Sequence, residues 1–338
     1  MNYEMNSIYR RDAKTVLKEI ESSSFDLVVT TPPAYEYDKV RTPWDNRYEY
    51  LWADVETYIS YMKQVFGEVF RVMKNHRYCI IVTGDVKEKV GKGDWQVRTV
   101  PLPAYFIKLC EDIGFTYITE YIWDKGEPGG VNRKKGPYYP FRFNSFNCCQ
   151  HVLVFAKHVL DTEPAPCPVC GKTEVMQAGY SGIGIKRWMC RNPNCAAKQT
   201  RDTGKLYTKV SLMFDAISTN ENRIPDEMEN KYRRNMIYAE PLSTYAERNT
   251  TKPTMLLPME IAELAVRFFS GVGDKVLDPY MGSGMTAAAA DKYGREFLGF
   301  MYDDRCYERA RKVVGEIESR RRIEAIRQSK ENKKADLG

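Results

Sequence analysis

The 338-residue sequence contains no apolar run that approaches the length of a membrane-spanning helix. Its first residues, MNYEMNSIYRRD, lack the apolar core of a secretory signal. It has no internal repeat, and its net charge of +6 favours an anionic partner only weakly. With 43% hydrophobic and 28% charged residues, the composition is that of a globular protein. These absences predict a cytoplasmic protein with no membrane partner.

Cysteine occurs nine times, and without an export signal the odd number does not predict a disulfide framework. Four cysteines form two pairs separated by 19 residues: Cys167, Cys170, Cys190 and Cys195. Such pairs can supply four thiolates to a tetrahedral Zn²⁺, and four thiolates leave no open position, so the metal would be structural. An iron–sulfur site or unliganded thiols are the alternatives. We expect His151 and His158 to have structural roles.

Strand-like and helix-like patterns alternate along the chain, which predicts an α/β fold with a mostly parallel sheet. Several strand candidates are continuously apolar, as expected when helices cover both faces. The predicted strands are residues 7–9, 25–30, 78–83, 115–123, 151–155, 275–277 and 296–300. The predicted helices are residues 54–73, 104–113, 258–269, 284–293 and 304–322. Asp54 is expected to cap the first of these helices, and Gly114 to end the second.

Two segments interrupt this alternation, and a charged tail follows it. Residues 36–50 predict a loop over an active site, residues 161–247 an insert, and residues from 320 onward a fraying helix or disordered tail. Residues 125–142 hold five basic side chains against one acidic one, with three aromatic residues among them. Basic groups can neutralise phosphates and aromatic faces can stack on bases, although a solvated loop has the same composition.

The motif TTPPAY (Thr30 to Tyr35) follows an apolar strand-like run. Thr31 offers a hydroxyl, Pro32 offers a carbonyl, and the Pro32-Pro33 pair fixes φ at both residues. Together these groups can accept hydrogen bonds from an exocyclic amino group and pull its nitrogen toward tetrahedral geometry. The alternative is that this sequence is only a strand that runs into an extended turn, with no catalytic role.

The motif LDPYMGSG (Leu277 to Gly284) also follows a strand-like run and opens into a small-residue helix. Its glycines allow the backbone to approach a ligand closely, and a helix N-terminus favours a carboxylate. The alternative is a strand–turn–helix junction that binds nothing.

In this order the two motifs resemble the catalytic and S-adenosylmethionine loops of the permuted, β-class amino-DNA methyltransferases, over about three quarters of the chain. The resemblance implies a Rossmann-like, S-adenosylmethionine-dependent methyltransferase sheet with helices on both faces, plus a small zinc-ribbon-like insert. It implies catalytic roles for Thr31, Pro32, Pro33 and Tyr35. It implies cofactor contacts from Asp12, Thr251, Lys252, Pro253, Asp278, Pro279, Gly282, Ser283, Gly284 and Asp303.

The chain departs from the family pattern at three positions. Ala34 stands where an aromatic residue stacks on the flipped base, so Tyr35 or Tyr37 is expected to stack instead. Met301 stands where a Glu grips the ribose; Asp303 either replaces that Glu or simply caps a helix. Arg248 replaces a histidine ahead of Thr251. The hydroxyl residue Thr31 favours cytosine N4 over adenine N6.

The resemblance divides the chain into a catalytic half (1–160), an insert with the zinc ribbon (161–247), a cofactor half (248–320) and a charged tail (321–338). The insert is predicted to recognise the DNA target; bracing or dimerisation is the alternative. Its candidate DNA contacts are Lys172, Lys186, Arg187, Trp188, Arg191 and Lys198. The implied partners are double-stranded DNA, S-adenosylmethionine and a restriction endonuclease, for a monomer or homodimer. A non-catalytic DNA-binding subunit and an RNA or protein amine methyltransferase remain open.

Overall fold

The computed structural model describes residues 3–33, 35, 52, 54–89, 97–126, 147–181, 184–196, 206–240 and 256–335. Its strands are β1 (Ser7–Tyr9), β2 (Phe25–Thr30), β3 (Met73–Thr83), β4 (Val86–Lys89), β5 (Val97–Val100), β6 (Phe115–Asp124), β7 (Cys149–Lys157), β8 (Val175–Ser181), β9 (Ile185–Cys190), β10 (Met236–Tyr238), β11 (Lys275–Asp278) and β12 (Glu296–Phe300). Its helices are α1 (Ala13–Val16), α2 (Val55–Val72), α3 (Leu102–Ile113), α4 (Lys209–Ile217), α5 (Asp226–Tyr232), α6 (Met259–Phe269), α7 (Met285–Lys292) and α8 (Asp304–Ala335).

Eight of the described strands form one sheet in the order β1-β12-β11-β2-β3-β7-β6-β10. Every neighbouring pair is parallel except those of β7, which runs antiparallel to both β3 and β6. All six residues of β2 are buried, and helices pack on the sheet from both sides. This is the predicted Rossmann-like α/β fold. The prediction succeeded because strands that are covered on both faces need continuously apolar sequences, which can be recognised in the chain.

The parallel strands give the sheet two distinct edges. Their carboxyl ends lie along one, which we call the carboxyl edge, and their amino ends along the other, the amino edge. At the amino edge the buried Asp26 carboxylate accepts hydrogen bonds from Lys74 Nζ (2.8 Å) and from the Lys275 backbone amide (3.1 Å). Arg77 bridges Asp26 and Asp274, each at 3.0 Å. This network joins β2 to its neighbours β3 and β11.

Two expected helix boundaries agree with the structure. Asp54 caps α2, since its carboxylate accepts a hydrogen bond from Thr57 N at 2.7 Å. Gly114 ends α3 in the left-handed region with φ +118°. Helix α3 begins two residues earlier than predicted because Pro103 lies in its first turn, where proline is tolerated.

Other elements differ from the expectations. Strand β3 begins at Met73 rather than at residue 78, with a register shift near its start. Strand β10, inside the range predicted as an insert, is the last strand of the central sheet. Helix α8 continues to Ala335, through most of the predicted tail. Among the described residues, no helix combines the length and hydrophobicity needed to cross a bilayer.

Candidate active site

The two predicted loops leave the sheet side by side. The catalytic loop (residues 31–35) follows β2, and the cofactor loop (residues 279–284) follows β11. These strands are neighbours in parallel register, with Leu277 opposite Val28. Because both loops lie at the carboxyl edge, they occupy the place where open α/β sheets bind ligands.

The cofactor loop is organised by Asp278, the last residue of β11. Its buried carboxylate accepts hydrogen bonds from the Tyr280 amide (3.1 Å) and from the Thr286 hydroxyl (2.8 Å). Burial raises the pKa of Asp278 to about 7, while the hydrogen bonds from Thr286 and Tyr280 and the Thr30 hydroxyl act to lower it. One side chain therefore joins the strand, the loop and the following helix.

Gly284 makes the turn into α7 possible. Its φ is +78°, and a Cβ built on it would lie 2.9 Å from Val313 Cβ and 3.2 Å from Ala310 Cα of helix α8. Both the backbone conformation and the close approach of α8 therefore require glycine. Glycine at this position therefore lets α8 pack against the start of α7, and Ser283 Oγ accepts a hydrogen bond from Met285 N.

The position of the family's ribose-binding Glu is apolar here. Met301 is 7% exposed, and its Cε lies 3.5 Å from the Cβ position of Gly282. Asp303 caps helix α8, because its carboxylate accepts a hydrogen bond from Cys306 N at 2.9 Å. A ribose contact from Asp303 stays a prediction, and it would have to coexist with this cap.

The catalytic loop is fixed at both of its ends. Thr30 pairs with Ile81 in the sheet, and the Pro33 carbonyl accepts a hydrogen bond from the Tyr58 hydroxyl of α2 at 3.0 Å. Between them, the Thr31 hydroxyl oxygen is buried and has no hydrogen-bond partner within the described part of the chain. Buried polar atoms are nearly always satisfied, so among the described residues this oxygen leaves a hydrogen-bonding position that a ligand can fill.

Tyr35, the expected stacking residue, is 1% exposed. Its ring centroid lies 5.6 Å from that of Tyr58, and burial raises its pKa to about 12. In this arrangement the ring packs into the core, so stacking on a base would require it to turn out. Ala34 and the alternative stacking residue Tyr37 lie outside the described residues.

Asp12 follows β1 at the same carboxyl edge. It caps α1 by accepting a hydrogen bond from Lys14 N at 3.2 Å, and it accepts a second from the Tyr61 hydroxyl at 2.9 Å. The remaining predicted cofactor residues, Thr251, Lys252 and Pro253, lie outside the described residues, as do most of residues 125–142.

The four grouped cysteines converge. Their sulfurs all lie within 4.8 Å of one another, and all four thiols are free of disulfides. Cys167 Sγ is 3.8 Å from Cys195 Sγ, and Cys170 Sγ is 3.7 Å from Cys190 Sγ. A tetrahedral zinc with Zn–S bonds of about 2.3 Å requires sulfurs ~3.8 Å apart. The donor set and its spacing therefore fit Zn²⁺.

The cysteine ribbon is anchored at the amino edge of the sheet. Buried Asp161 lies between the core and the insert: its Oδ2 is 3.0 Å from His76 Nε2 of β3, and its Oδ1 is 3.2 Å from Lys209 Nζ of α4. His158 Nδ1 lies 3.1 Å from His76 Nδ1, and burial lowers the pKa of His158. These contacts of the segment that leads into the ribbon thus lie at the edge opposite to the two loops.

The sequence reasoning did not identify Tyr58 and Tyr61 as part of the site. They are three residues apart, and therefore share one face of α2. That spacing marks a face but does not say what it touches, so only the folded structure connects them to Pro33 and Asp12.

Comparison with known proteins identifies the family of this chain. The sequence model of a family described as DNA methylase, of the N6/N4 type, matches residues 25–312. The Type II methyltransferase M1.MboII of Moraxella bovis is 22% identical over 327 residues, which cover 93% of this chain and 98% of that protein. The Type II methyltransferase M.MthZI of Methanothermobacter thermautotrophicus is 23% identical over 301 residues, which cover 85% of this chain and 70% of that protein. The Type II beta methyltransferase M.BslI of a Bacillus strain is 30% identical over 151 residues, which cover 43% of this chain and only 16% of that protein.

Solved structures share the fold. The structure of TTHA0409 from Thermus thermophilus, complexed with S-adenosyl-L-methionine, has a TM-score of 0.56 at 23% identity and covers 92% of this chain and 95% of its own. The cytosine-N4-specific PvuII DNA methyltransferase has a TM-score of 0.50 at 14% identity, with 92% of each chain covered.

Proposed function

The chain belongs to the N6/N4 DNA methylase family, and we propose that it transfers the methyl group of S-adenosylmethionine to an exocyclic amino group of a base in double-stranded DNA. The proposed acceptor is cytosine N4. The observation that carries the proposal is the buried Thr31 hydroxyl without a described partner, in a loop that leaves the sheet beside the cofactor loop.

The residues around the cofactor loop fit S-adenosylmethionine. The loop with Gly284 leads into the N-terminus of α7, which favours a carboxylate, and Asp12 and Asp303 lie after neighbouring strands at the same edge. The proposed cofactor contacts are Asp12, Thr251, Lys252, Pro253, Asp278, Pro279, Gly282, Ser283, Gly284 and Asp303. The bound cofactor would supply an activated methyl group.

Thr31, Pro32 and Pro33 would act on the amino group. The Pro33 carbonyl accepts a hydrogen bond from Tyr58, and the proposed acceptors for the two amino protons are the Thr31 hydroxyl and the Pro32 carbonyl. Hydrogen bonds to them would raise the electron density of the nitrogen and aim its lone pair at the methyl group. The nitrogen–carbon bond then forms as the sulfur–carbon bond breaks, and one amino proton is released to water. The base would have to be flipped out of the duplex, at a cost of roughly a few kcal/mol.

Product analysis tests the proposal. The purified protein is incubated with S-adenosylmethionine and unmethylated DNA of varied sequence, and the digested nucleosides are identified by mass spectrometry. N4-methyldeoxycytidine supports the proposed acceptor, whereas N6-methyldeoxyadenosine keeps the mechanism and overturns the base assignment. Thr31→Ala should reduce turnover at least about tenfold, while Thr173→Ala, at an exposed position of the insert, should not.

A non-catalytic DNA-binding subunit is the second candidate, and Met301 is the observation that favours it. Where the family grips the ribose, this chain presents a buried apolar side chain. Calorimetry separates the two candidates. Binding of S-adenosylmethionine at micromolar concentration supports the enzyme, whereas no binding at millimolar concentration supports the subunit.

We also propose that Cys167, Cys170, Cys190 and Cys195 hold one structural Zn²⁺. The prediction that the insert recognises the target sequence stays a prediction; the contacts of Asp161 at the amino edge, on the segment that leads into the ribbon, favour the alternative of a bracing element. Full DNA affinity in a zinc-free variant would support bracing, and lost affinity with an intact fold would support recognition. A restriction endonuclease partner and the choice between monomer and homodimer likewise stay predictions.

A further inference from the structure

Helix α2 carries two tyrosines that reach two different parts of the site. Tyr58 and Tyr61 lie in its first two turns, on the same face. The Tyr58 hydroxyl donates to the Pro33 carbonyl at 3.0 Å, and the Tyr61 hydroxyl donates to Asp12 Oδ1 at 2.9 Å. One rigid helix thus holds both the catalytic loop and a predicted cofactor contact.

Aromatic packing fixes these two rings. The Trp52 ring centroid lies 5.3 Å from that of Tyr58 and 4.9 Å from that of Tyr61. Phe106 of α3 meets the Tyr58 ring edge-on at 6.2 Å. Such contacts restrict rotation of the rings, so each hydroxyl is held within hydrogen-bonding distance of its acceptor, Pro33 or Asp12. Burial also raises the pKa of Tyr58, which keeps its hydroxyl protonated as a donor.

The hydrogen bond to Pro33 restricts the conformation of the catalytic loop. The rings of Pro32 and Pro33 already fix φ at both residues, so ψ is the remaining soft torsion. The direction of a carbonyl depends on the ψ of its own residue, and the Tyr58 hydroxyl fixes the direction of the Pro33 carbonyl. Since Thr30 is held in the sheet, Thr31 and Pro32 lie between two fixed points.

We propose that Tyr58 and Tyr61 are positioning residues with separate effects: Tyr58 sets the catalytic loop for the methyl-transfer step, and Tyr61 sets Asp12 for cofactor binding. This inference rests on the proposed function. The two roles can be told apart from one shared structural role because each hydroxyl contacts a different loop. Removal of the Tyr58 hydroxyl should change kcat, and removal of the Tyr61 hydroxyl should change the Kd for the cofactor.

Phenylalanine variants test the separation, since they remove only the hydroxyl and keep the ring. Tyr58→Phe should lower kcat about tenfold, as expected for a misplaced catalytic group, and leave the Kd for S-adenosylmethionine within about twofold. Tyr61→Phe should raise that Kd about fivefold, as expected for one lost hydrogen bond, and leave kcat at saturating cofactor within about twofold. Tyr105→Phe, on the half-buried face of α3, is the matched control.

Turnover by product formation, cofactor Kd by calorimetry and Tm by thermal unfolding are measured for all four proteins. An active wild type with variants that match it in kcat and Kd overturns the positioning roles and leaves the proposed function intact. If Tm and kcat fall and Kd rises together in both variants, the hydroxyls only stabilise the fold, which also overturns the inference. A wild type that neither binds S-adenosylmethionine nor forms product overturns the proposed function itself.

Discussion

Replacing Gly284 with alanine should damage the cofactor loop for two separable reasons. The residue has φ +78°, and its added Cβ would lie 2.9 Å from Val313 Cβ and 3.2 Å from Ala310 Cα. Gly273 has a similar φ of +82°, but a Cβ there meets no described atom within 4 Å. The pair therefore separates backbone strain, which both variants share, from steric conflict, which only Gly284→Ala has.

The expected magnitudes follow from these distances. A left-handed conformation costs a non-glycine residue about 1–2 kcal/mol, so Gly273→Ala should lower the free energy of unfolding by about that amount or less. Gly284→Ala should cost about 1–3 kcal/mol more, because Val313 and the backbone of buried Ala310 must shift. The effect of alanine on the unfolded chain is nearly the same in both variants and cancels in the comparison.

Urea unfolding followed by circular dichroism measures the free energies, and calorimetry measures S-adenosylmethionine binding. Because α8 contacts Gly284 directly, we expect cofactor affinity to fall at least about tenfold in Gly284→Ala, the change that about 1.4 kcal/mol produces. Gly273 lies at the amino edge, so its variant should bind within about twofold of the wild type. Equal destabilisation of both variants, or unchanged binding by Gly284→Ala, would refute the reasoning.

Three further outcomes are expected. Burial raises the pKa of Asp278 from its ordinary value near 3.8 to about 7, so the folded state binds a proton at a higher pH than the unfolded state does. The free energy of unfolding should therefore fall as pH rises from about 4 to about 7, by up to about 1.4 kcal/mol per unit of pKa difference. Urea unfolding at a series of pH values should show this slope in the wild type and not in Asp278→Asn. Cys170→Ser should reduce bound zinc from about one equivalent to near zero by elemental analysis, whereas zinc retained there, or lost in the control Cys148→Ser, would contradict the four-cysteine site. Asp161→Ala should speed proteolysis within the insert by about tenfold and leave cofactor Kd unchanged, because breaking a buried ion pair leaves the remaining charge unpaired. The control is Glu163→Ala at an exposed position. Equal cleavage of both variants would argue against Asp161 as the residue that fixes the insert to the core.

Much of the central sheet was predictable because its strands are buried on both faces. Strands β1, β2 and β12 have the bounds that their apolar runs indicate. The order of the two motifs also predicted the fold and the family, since glycine and proline restrict the backbone locally and so leave a readable signal.

The elements that sequence analysis missed depend on tertiary contacts. Strand β10 has only three residues, two of them exposed, and it exists because Met236–Tyr238 pairs with β6. Helix α4 has an apolar stripe at Val210, Met213, Phe214 and Ile217, but none of its nine residues is buried, so the stripe does not mark a part of the core. Its capping box at Thr208 and Ser211 was a readable signal that went unused.

Within the site, residue types were predictable but their contacts were not. Thr31 and Asp278 were identified from their motifs, whereas the hydrogen bond from Tyr58 to Pro33 joins residues 25 positions apart through packing of α2 on the sheet. The buried state of Tyr35 was also unpredictable, because it results from the aromatic contacts of α2 rather than from the loop sequence.

The pairing of β2 with β11 has a consequence for how this protein is made. The two strands are joined by contacts that span 249 residues, such as that between Asp26 and the Lys275 amide. While the ribosome is still synthesising the middle of the chain, β2 lacks one of its neighbours and the catalytic loop lacks the cofactor loop beside it. Long-range parallel pairing of this kind is slow to form and leaves strand edges open to aggregation. The nascent chain is therefore without a complete active site, and has an exposed strand edge, until β11 has left the ribosome.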